Sequence, residues 1–409
     1  MTRPIAIVDP FSGGAMLAPE FRKRGRESVM VQSTPEIPRQ FRSSLRSRDF
    51  IEIIHHVDDD ETLRRLRALD VELVLAGCEL GVAPADRWSE ALGLISNGAR
   101  CSAARRDKFT MIEKVRDQGL RAPTQIAAST IEEAVSWTRA RQGQPVVVKP
   151  LESVGSDSVR ACESEAEVVD ACAAILGRDN VLGMVNQRVL VQEYLEGTEY
   201  VVDTVSRGGR HRLAAVWRYS QPDSPKRQVG YDAMWLMSGR GSRQDTLFAY
   251  ACDVLDALDI RYGPAHCEVK WVDGEPVLVE IGARLNGGIN CWLNRDCGGV
   301  CQLDLAIDAY AEPGRFLGEL DRRYLLRRHA TNVFLKPPAP GFLRSLPRLS
   351  EIEGLPSMFK MTVSPKPRPV RPVAGVVTLV HEDNDVIEAD LARIRALERD
   401  GLYEIVASL

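Results

Sequence analysis

The chain has 409 residues, room for two or three domains and an ample core. Its 44% apolar and 27% charged content is ordinary for a soluble globular protein, and a formal net charge of −4 removes the electrostatic case for nucleic acid or an anionic membrane as partner. Six histidines and 6% aromatics argue against a histidine-rich metal site or an aromatic platform for bases.

In chain order, Pro4–Asp9 is a short apolar run, followed by Phe11-Ser-Gly13-Gly14 and a helical stretch. Ser28–Gln32 and Phe50–His55 read as further strands. Asp58 to Leu69 reads as a helix whose acidic start suits its dipole, Val71–Gly77 as a fourth strand, and Trp88–Leu94 as another helix. Strand–helix alternation of this kind implies a parallel α/β sheet. Gly13-Gly14 after the first strand fits either an anion cradle or a structural turn. Arg105–Gly119 is expected helical, and Ser129-Thr-Ile-Glu132 reads as a capping box opening a helix to Arg141.

Pro145–Lys149 is a strand that presents a lysine at its end, before the small-residue loop Ser153-Val-Gly155-Ser156-Asp157-Ser158. Strands are expected at Val189–Leu195, Glu199–Asp203 and His211–Tyr219, and helices at Thr246–Leu258 and Gln302–Tyr310. Pro337–Gly341 interrupts the pattern, and a small α+β tail follows, with a strand at Ala374–Val380 and a helix at Asp390–Glu398.

The densest chemistry lies in residues 268–288. Val269, Trp271, Val277 and Val279 alternate around Asp273-Gly274, which describes a β-hairpin with Glu268 on one arm and Glu280 on the other. Facing carboxylates about 5 Å apart repel unless a cation lies between them, and hard oxygen donors select Mg²⁺ or Mn²⁺. Arg284 and Asn286-Gly287-Gly288 follow, offering a fixed positive fork and backbone that can approach an anion. The competing reading is a surface hairpin with solvated glutamates, but the second arm, Pro276–Ile281, is too apolar for an open surface.

Two lysines, Lys108 and Lys149, flank element ends, and the Gly/Ser loop after Lys149 suits phosphates. Gln192-Glu193-Tyr194-Leu195 offers an apolar strand end for a base, with Glu199 placed for ribose hydroxyls. There is no GxxxxGK[ST], no GxGxxG with an acidic partner, and no GxSxG, so a Walker-type site and a plain Rossmann dehydrogenase are excluded.

In this order the residues resemble the ATP-grasp superfamily, and within it the L-amino-acid, dipeptide-forming ligases, over most of the chain. The resemblance implies an α/β and α+β fold in three parts: an N-terminal parallel α/β domain (1–104), a central lobe (105–195) and a C-terminal ATP-binding lobe (196–409) with a closing region from about 337. The stretch Ala76–Asp86 also looks like that subset. By resemblance, Lys108, Lys149, Ser153, Gly155 and Ser156 hold ATP phosphates. Glu193 and Leu195 hold adenine through their backbone, and Glu199 holds ribose. Glu268 and Glu280 bridge magnesium, and Arg284 stabilises the transferred phosphoryl group. Gly282 departs from the family, which commonly has Asn there; Asn286 or a water would substitute.

The implied reaction is carboxylate activation by ATP to an acyl phosphate, then attack by an amine to give an amide, ADP and phosphate. His266 is a candidate substrate contact, or else a structural histidine of the sheet. Asn286, Gly287 and Gly288 are candidates for a substrate carboxylate, against a plain tight turn. For Lys108, Lys149 and Glu199 the competing readings are solvated surface side chains. Other readings are an ATP-grasp carboxylase or purine-pathway ligase, and a non-catalytic nucleotide-binding regulator.

Nine cysteines, an odd number without CxxC, include Cys291, Cys297 and Cys301, whose spacing fits no common zinc pattern. Reduced thiols of a cytosolic protein are expected. The N-terminus lacks a signal-peptide core, and no run approaches the roughly 20 apolar residues of a membrane span, which makes the cytoplasm the expected location. Small amino-acid or carboxylate substrates are the expected partners, and the resemblance points to a homodimer.

Overall fold

The computed structural model describes residues 2–221, 230–287, 290–364 and 366–407, with backbone alone at 290 and 291. The N-terminal segment forms β1 (Ile5–Val8), β2 (Ser28–Gln32), β3 (Glu52–His55) and β4 (Leu73–Ala76), parallel throughout in the order β3-β2-β1-β4. Every residue of β1 is buried, the continuous apolar run that a central parallel strand requires. Asp58 caps the helix Asp59–Ala68 by accepting from the Glu61 amide at 2.8 Å. The next helix, Val82–Ala91, begins six residues ahead of the Trp88 start expected from sequence. Trp88 is buried within it, and its indole donates to Asp59 at 2.7 Å.

A second sheet contains β5 (Gln125–Ala128), β6 (Val146–Pro150), β7 (Arg160–Cys162) and β8 (Val189–Glu193), antiparallel in the order β5-β8-β6-β7. Helices Ile131–Ala140 and Glu165–Ile175 pack on it through Ala134, Val168, Ala171 and Ile175. The first of these starts one residue later than the expected capping box. Thr130 is the cap and accepts from the Glu133 amide, while Glu133 reaches back to the amide of Ser129 at 2.7 Å.

The rest supplies β9 (Thr198–Arg207), β10 (Arg210–Ser220), β11 (Ala233–Leu236), β12 (Gly263–Val272), β13 (Glu275–Gly282), β14 (His329–Leu335), β15 (Phe342–Ser345), β16 (Met358–Val363), β17 (Arg368–Pro369), β18 (Gly375–His381) and β19 (Glu404–Val406). Eight of these form one sheet in the order β13-β12-β9-β10-β11-β14-β18-β16, so strands from both sides of the Pro337–Gly341 break share a ladder. The remaining three, β17-β15-β19, make a small sheet at the end. The last helix is longer than its expected core, spanning Asn384–Arg399.

Two helices pack near the hairpin end of the large sheet. Ser242–Ala257 buries Leu247, Tyr250, Ala251, Val254 and Leu255, the i, i+3, i+4 stripe of a one-sided helix. Lys108–Asp117 does the same with Met111, Ile112 and Val115, and the Asp107 side chain caps it at the Thr110 amide. Just before it, Arg105 is fully buried and pairs with Asp86 at 2.8 Å. Its other donors reach the carbonyls of Asn97, Gly98, Leu258 and Asp259, so the charge is fully satisfied and ties three segments together.

The N-terminal sheet meets the rest through a shared apolar core, in which Ile5, Ile7, Leu17 and Phe21 pack with Val205, Ala214, Leu285 and Leu305, and through a close backbone approach at the turn after β1. A Cβ on Gly13 would stand 2.3 Å from the Asn286 carbonyl, and one on Gly14 only 1.9 Å from the Gly77 carbonyl. The turn after β1 is therefore structural in its demand for glycine. Gly14→Ala is expected to destabilise the protein by about 1–3 kcal/mol, the usual cost of forced overpacking. Chemical denaturation would measure it, and a neutral substitution would show that the turn has slack.

Candidate functional site

The β12–β13 hairpin turns on Asp273 (φ 52°) and Gly274 (φ 88°), the two left-handed residues that a two-residue type I′ connection needs. Its register sets Glu268 directly opposite Glu280. Lys108 Nζ lies 3.0 Å from Glu280 Oε2 and 3.2 Å from the Ser153 carbonyl. Burial alone would raise the Glu280 pKa, but Lys108 and Lys149 outweigh it and hold that carboxyl below its usual range. Lys149, at the end of β6, is 4% exposed. Burial draws its ammonium down to about 8, with Glu280 pulling in the other direction. Neither lysine is the solvated side chain of the competing reading.

These charges lie at one end of a cleft of about 1070 Å³, counted to its open mouth. Its lining brings together Lys108, Lys149, Ser153, Gly155, Ser156, Glu193, Leu195, Glu199, Glu268 and Glu280. Gly155 (φ 68°), Ser156 (φ 58°) and Ser158 (φ 55°) give the loop its left-handed turns. Asp157 ties it down, accepting from Ser153 Oγ (2.7 Å), Ser158 Oγ (3.1 Å) and the Val181 amide (3.1 Å). At the apolar end, the Glu193 side chain accepts from the Thr124 amide and hydroxyl at 3.0 and 2.9 Å. The Leu195 carbonyl accepts from Lys270 Nζ at 2.9 Å. Glu199 is buried and takes the Tyr231 hydroxyl, whose ring stacks on Tyr219 with centroids 3.6 Å apart. Burial, reinforced by Glu268, raises the Glu199 pKa to about 7.

An adjoining chamber of about 630 Å³ shares Lys108, Glu268 and Glu280 with the cleft and adds Glu79, Arg106, His266, Arg284 and Gly287. Glu79 is clamped between two guanidiniums, 2.8 Å from Arg106 and 2.9 Å from Arg284. Burial would raise the Glu79 pKa, but Arg284 and then Arg106 hold it low. Gly282 now has a physical reason. A Cβ there would lie 3.0 Å from Arg284 Cζ and 3.1 Å from Glu79 Oε2, so any side chain at 282 presses on this clamp.

His266 faces Asp203 through Nδ1 at 2.8 Å and Glu268 through Nε2 at 3.2 Å. Asp203 also accepts from the Trp217 indole at 3.0 Å and from Asn286 Nδ2 at 2.8 Å. Asn286 is buried, its amide N–H donates to Gln302 at 2.7 Å, and it lines neither cavity. Its side-chain amide braces Asp203, the carboxylate that also faces His266. Gly288 lies outside the described residues. Cys297 and Cys301 are buried free thiols, and the Cys291 side chain is not described.

Lys270, Tyr219 and Tyr231 line the cleft, Glu79 and Arg106 line the chamber, and Asp203 stands behind His266; sequence reasoning singled out none of them. For two of them a signal existed. His266, Glu268 and Lys270 recur with period two, which puts all three on one face of β12, and across the ladder His266 opposes Asp203 while Lys270 opposes Glu199. Among the described residues no group of three or more His, Cys, Asp or Glu is arranged to hold a metal alone. Glu268 and Glu280 form a two-carboxylate set, the kind that suits a hard cation whose shell is completed by phosphate oxygens and water.

Burial opposes the charging of His266, but Asp203, by hydrogen bond and charge, raises its pKa to about 9. A pKa raised in the folded state stabilises fully below the unfolded value of about 6.5 and is lost as pH climbs through about 9. With Asp203→Ala, burial dominates and His266 should titrate below about 6.5 in the metal-free protein. Histidine NMR would read this, and a resonance still titrating near 9 would remove Asp203 as the cause.

Residues 142–292 match the family model described as ATP-grasp domain. Dapdiamide A synthase of Enterobacter agglomerans is 31% identical over 407 residues, covering 97% of this chain and 96% of that protein. Among solved structures, an L-amino acid ligase from Bacillus licheniformis superposes with a TM-score of 0.75 at 16% identity, covering 99% of this chain and 98% of that one. An N5-carboxyaminoimidazole synthase from Aspergillus clavatus, in complex with ADP and an aminoimidazole ribonucleotide, gives 0.67 at 14% identity over 97% and 99%.

Proposed function

Since the chain belongs to the ATP-grasp family of ligases, which form carbon–nitrogen bonds, we propose that it joins the carboxylate of an amino acid or small acid to the amino group of an amino acid, through an acyl phosphate and with release of ADP and phosphate. The observation that carries this reading is the junction of the cleft and the chamber. Both are lined by Lys108, Glu268 and Glu280, so a triphosphate in one would present its terminal phosphate to a carboxylate in the other. The name of the dapdiamide synthase and that of the amino acid ligase point to amide products, which supports the same reading.

In this scheme Lys108 and Lys149 neutralise phosphate charge. The depressed Lys149 pKa means that it is readily charged when an anion arrives to replace the missing solvation. Glu193 and Leu195 offer backbone at the base end, Glu199 takes ribose hydroxyls, and the 153–156 loop covers the phosphates. Glu268 and Glu280 would hold Mg²⁺, or Mn²⁺, which when bound would draw charge from the phosphoryl oxygens. Arg284, held rigid by Glu79, faces the developing negative charge of the acyl phosphate, and Arg106 lies beside it as a second cation for a substrate carboxylate. His266 lies against Glu268 at the chamber wall, within reach of the incoming amine, and the Gly287 backbone lines the same chamber. The reading carries with it a cytosolic setting and a homodimer. No helix among the described residues is long and apolar enough to cross a membrane.

The test is ADP release with Mg²⁺ across pairs of amino acids and small dicarboxylates, with product mass read alongside. ADP that requires two substrates, and a product equal to their sum less water, is expected; AMP with pyrophosphate would reject the acyl phosphate. Glu280→Gln is expected to lower kcat at least about 100-fold at saturating Mg²⁺, the scale of losing one preorganised charge at a phosphoryl centre. Full activity in that variant would remove Glu280 from the metal set.

A further inference from the structure

We propose that Gln125 and Glu113, neither of which lines the cleft, fix the hydrogen-bond polarity of its base wall, so that Gln192 presents an acceptor there and the cleft selects a nucleobase with an exocyclic amine over one with a carbonyl. This rests on the reading of the cleft as a nucleotide site. Gln125, Gln192 and Val147 stand opposite one another across β5, β8 and β6, in a single row, and the last two line the cleft.

The polarity is set from outside the cleft inward. Gln125 Nε2 donates to the Phe109 carbonyl and to Glu113 Oε1, each at 2.9 Å. A carbonyl can only accept, and the Glu113 carboxylate also accepts from Arg116 at 2.7 Å on both oxygens. The nitrogen end of the Gln125 amide is therefore committed to the helix side, and its Oε1 is what faces Gln192. Gln192 must answer with Nε2, at 2.9 Å. Flipping Gln192 would set oxygen against oxygen, and flipping Gln125 would set an oxygen against two acceptors. The remaining Oε1 of Gln192 is thus an acceptor at the cleft wall, fixed by two residues that never touch the ligand.

The test is calorimetry on the full chain with Mg²⁺ and three triphosphates that differ at C6 of the purine: ATP, the purine ribonucleoside triphosphate with hydrogen there, and ITP. The expected order is ATP, then the hydrogen analogue, then ITP, with steps of about tenfold, the scale of one hydrogen bond gained or one acceptor pair opposed. In Gln125→Leu the Gln192 amide is free to turn, and the ATP-to-ITP ratio should fall at least about tenfold while ATP still binds. ITP binding as well as the hydrogen analogue in the wild type would overturn the proposal, whether or not Gln125→Leu folds. So would an unchanged ratio in a folded Gln125→Leu. Tight ATP binding with a flat series rejects the relay alone, whereas no nucleotide binding at all rejects the nucleotide reading and the relay with it.

Discussion

The constraint on which the site depends is the direct opposition of Glu268 and Glu280 across the β12–β13 ladder. The two-residue turn pairs Val272 with Glu275 and runs on to Val269 with Leu278, and a one-residue shift of register beyond Val269 then brings Glu280, rather than Val279, opposite Glu268, so backbone pairing rather than mutual preference holds these like charges together. Everything around them answers that repulsion. Lys108 arrives from a helix start, Lys149 from the end of β6, and Arg284 from the segment that leaves the hairpin. Burial opposes the charging of Arg284, but Glu79 and the two hairpin carboxylates more than restore it. The result is a buried region of alternating charge that is most comfortable when a cation and an anion are added together.

A second layer holds this layer still. Glu79 comes from the turn that follows β4 and is locked between Arg106 and Arg284, so the cation facing the chamber is positioned by a residue remote in sequence. Asp203 performs a similar service on the other side, gathering Trp217, His266 and Asn286 around one carboxylate. Such fully partnered buried networks are rigid because every lost partner leaves a desolvated charge.

Much of this was legible in the sequence, and the rest was hidden for identifiable reasons. The hairpin, its two glutamates and the strand ending in Lys149 announce themselves through alternation and turn chemistry, which are local. The period of two in His266, Glu268 and Lys270 was equally local, yet Lys270 needs its partner across the ladder, Glu199, before it means anything. Glu79 and Arg106 could not be paired from spacing, since their link to Arg284 spans two sheets. The bond from the Asn286 amide to Asp203 was equally hidden, because it joins residues far apart in the chain. The early start of the Val82 helix and the one-residue slip of the Thr130 cap are boundary effects, where capping chemistry at neighbouring positions is nearly equivalent.

The glycine contacts at the foot of β1 bear on how this architecture can be recombined. Gly13 leaves no space for a side chain between the first turn and the backbone of Asn286, while Gly14 meets Gly77 within the N-terminal part itself. A chimera that grafts the N-terminal sheet of a relative onto this hairpin would therefore be compatible only where the donor carries the same bare backbone at that seam. It would also need an acid where Glu79 stands to seat Arg284. Divergence in substrate choice along this lineage is then easier by changing side chains inside the chamber than by exchanging the N-terminal sheet, because the close approach at Gly13, the shared apolar core and the Glu79–Arg284 pair would all have to match at once.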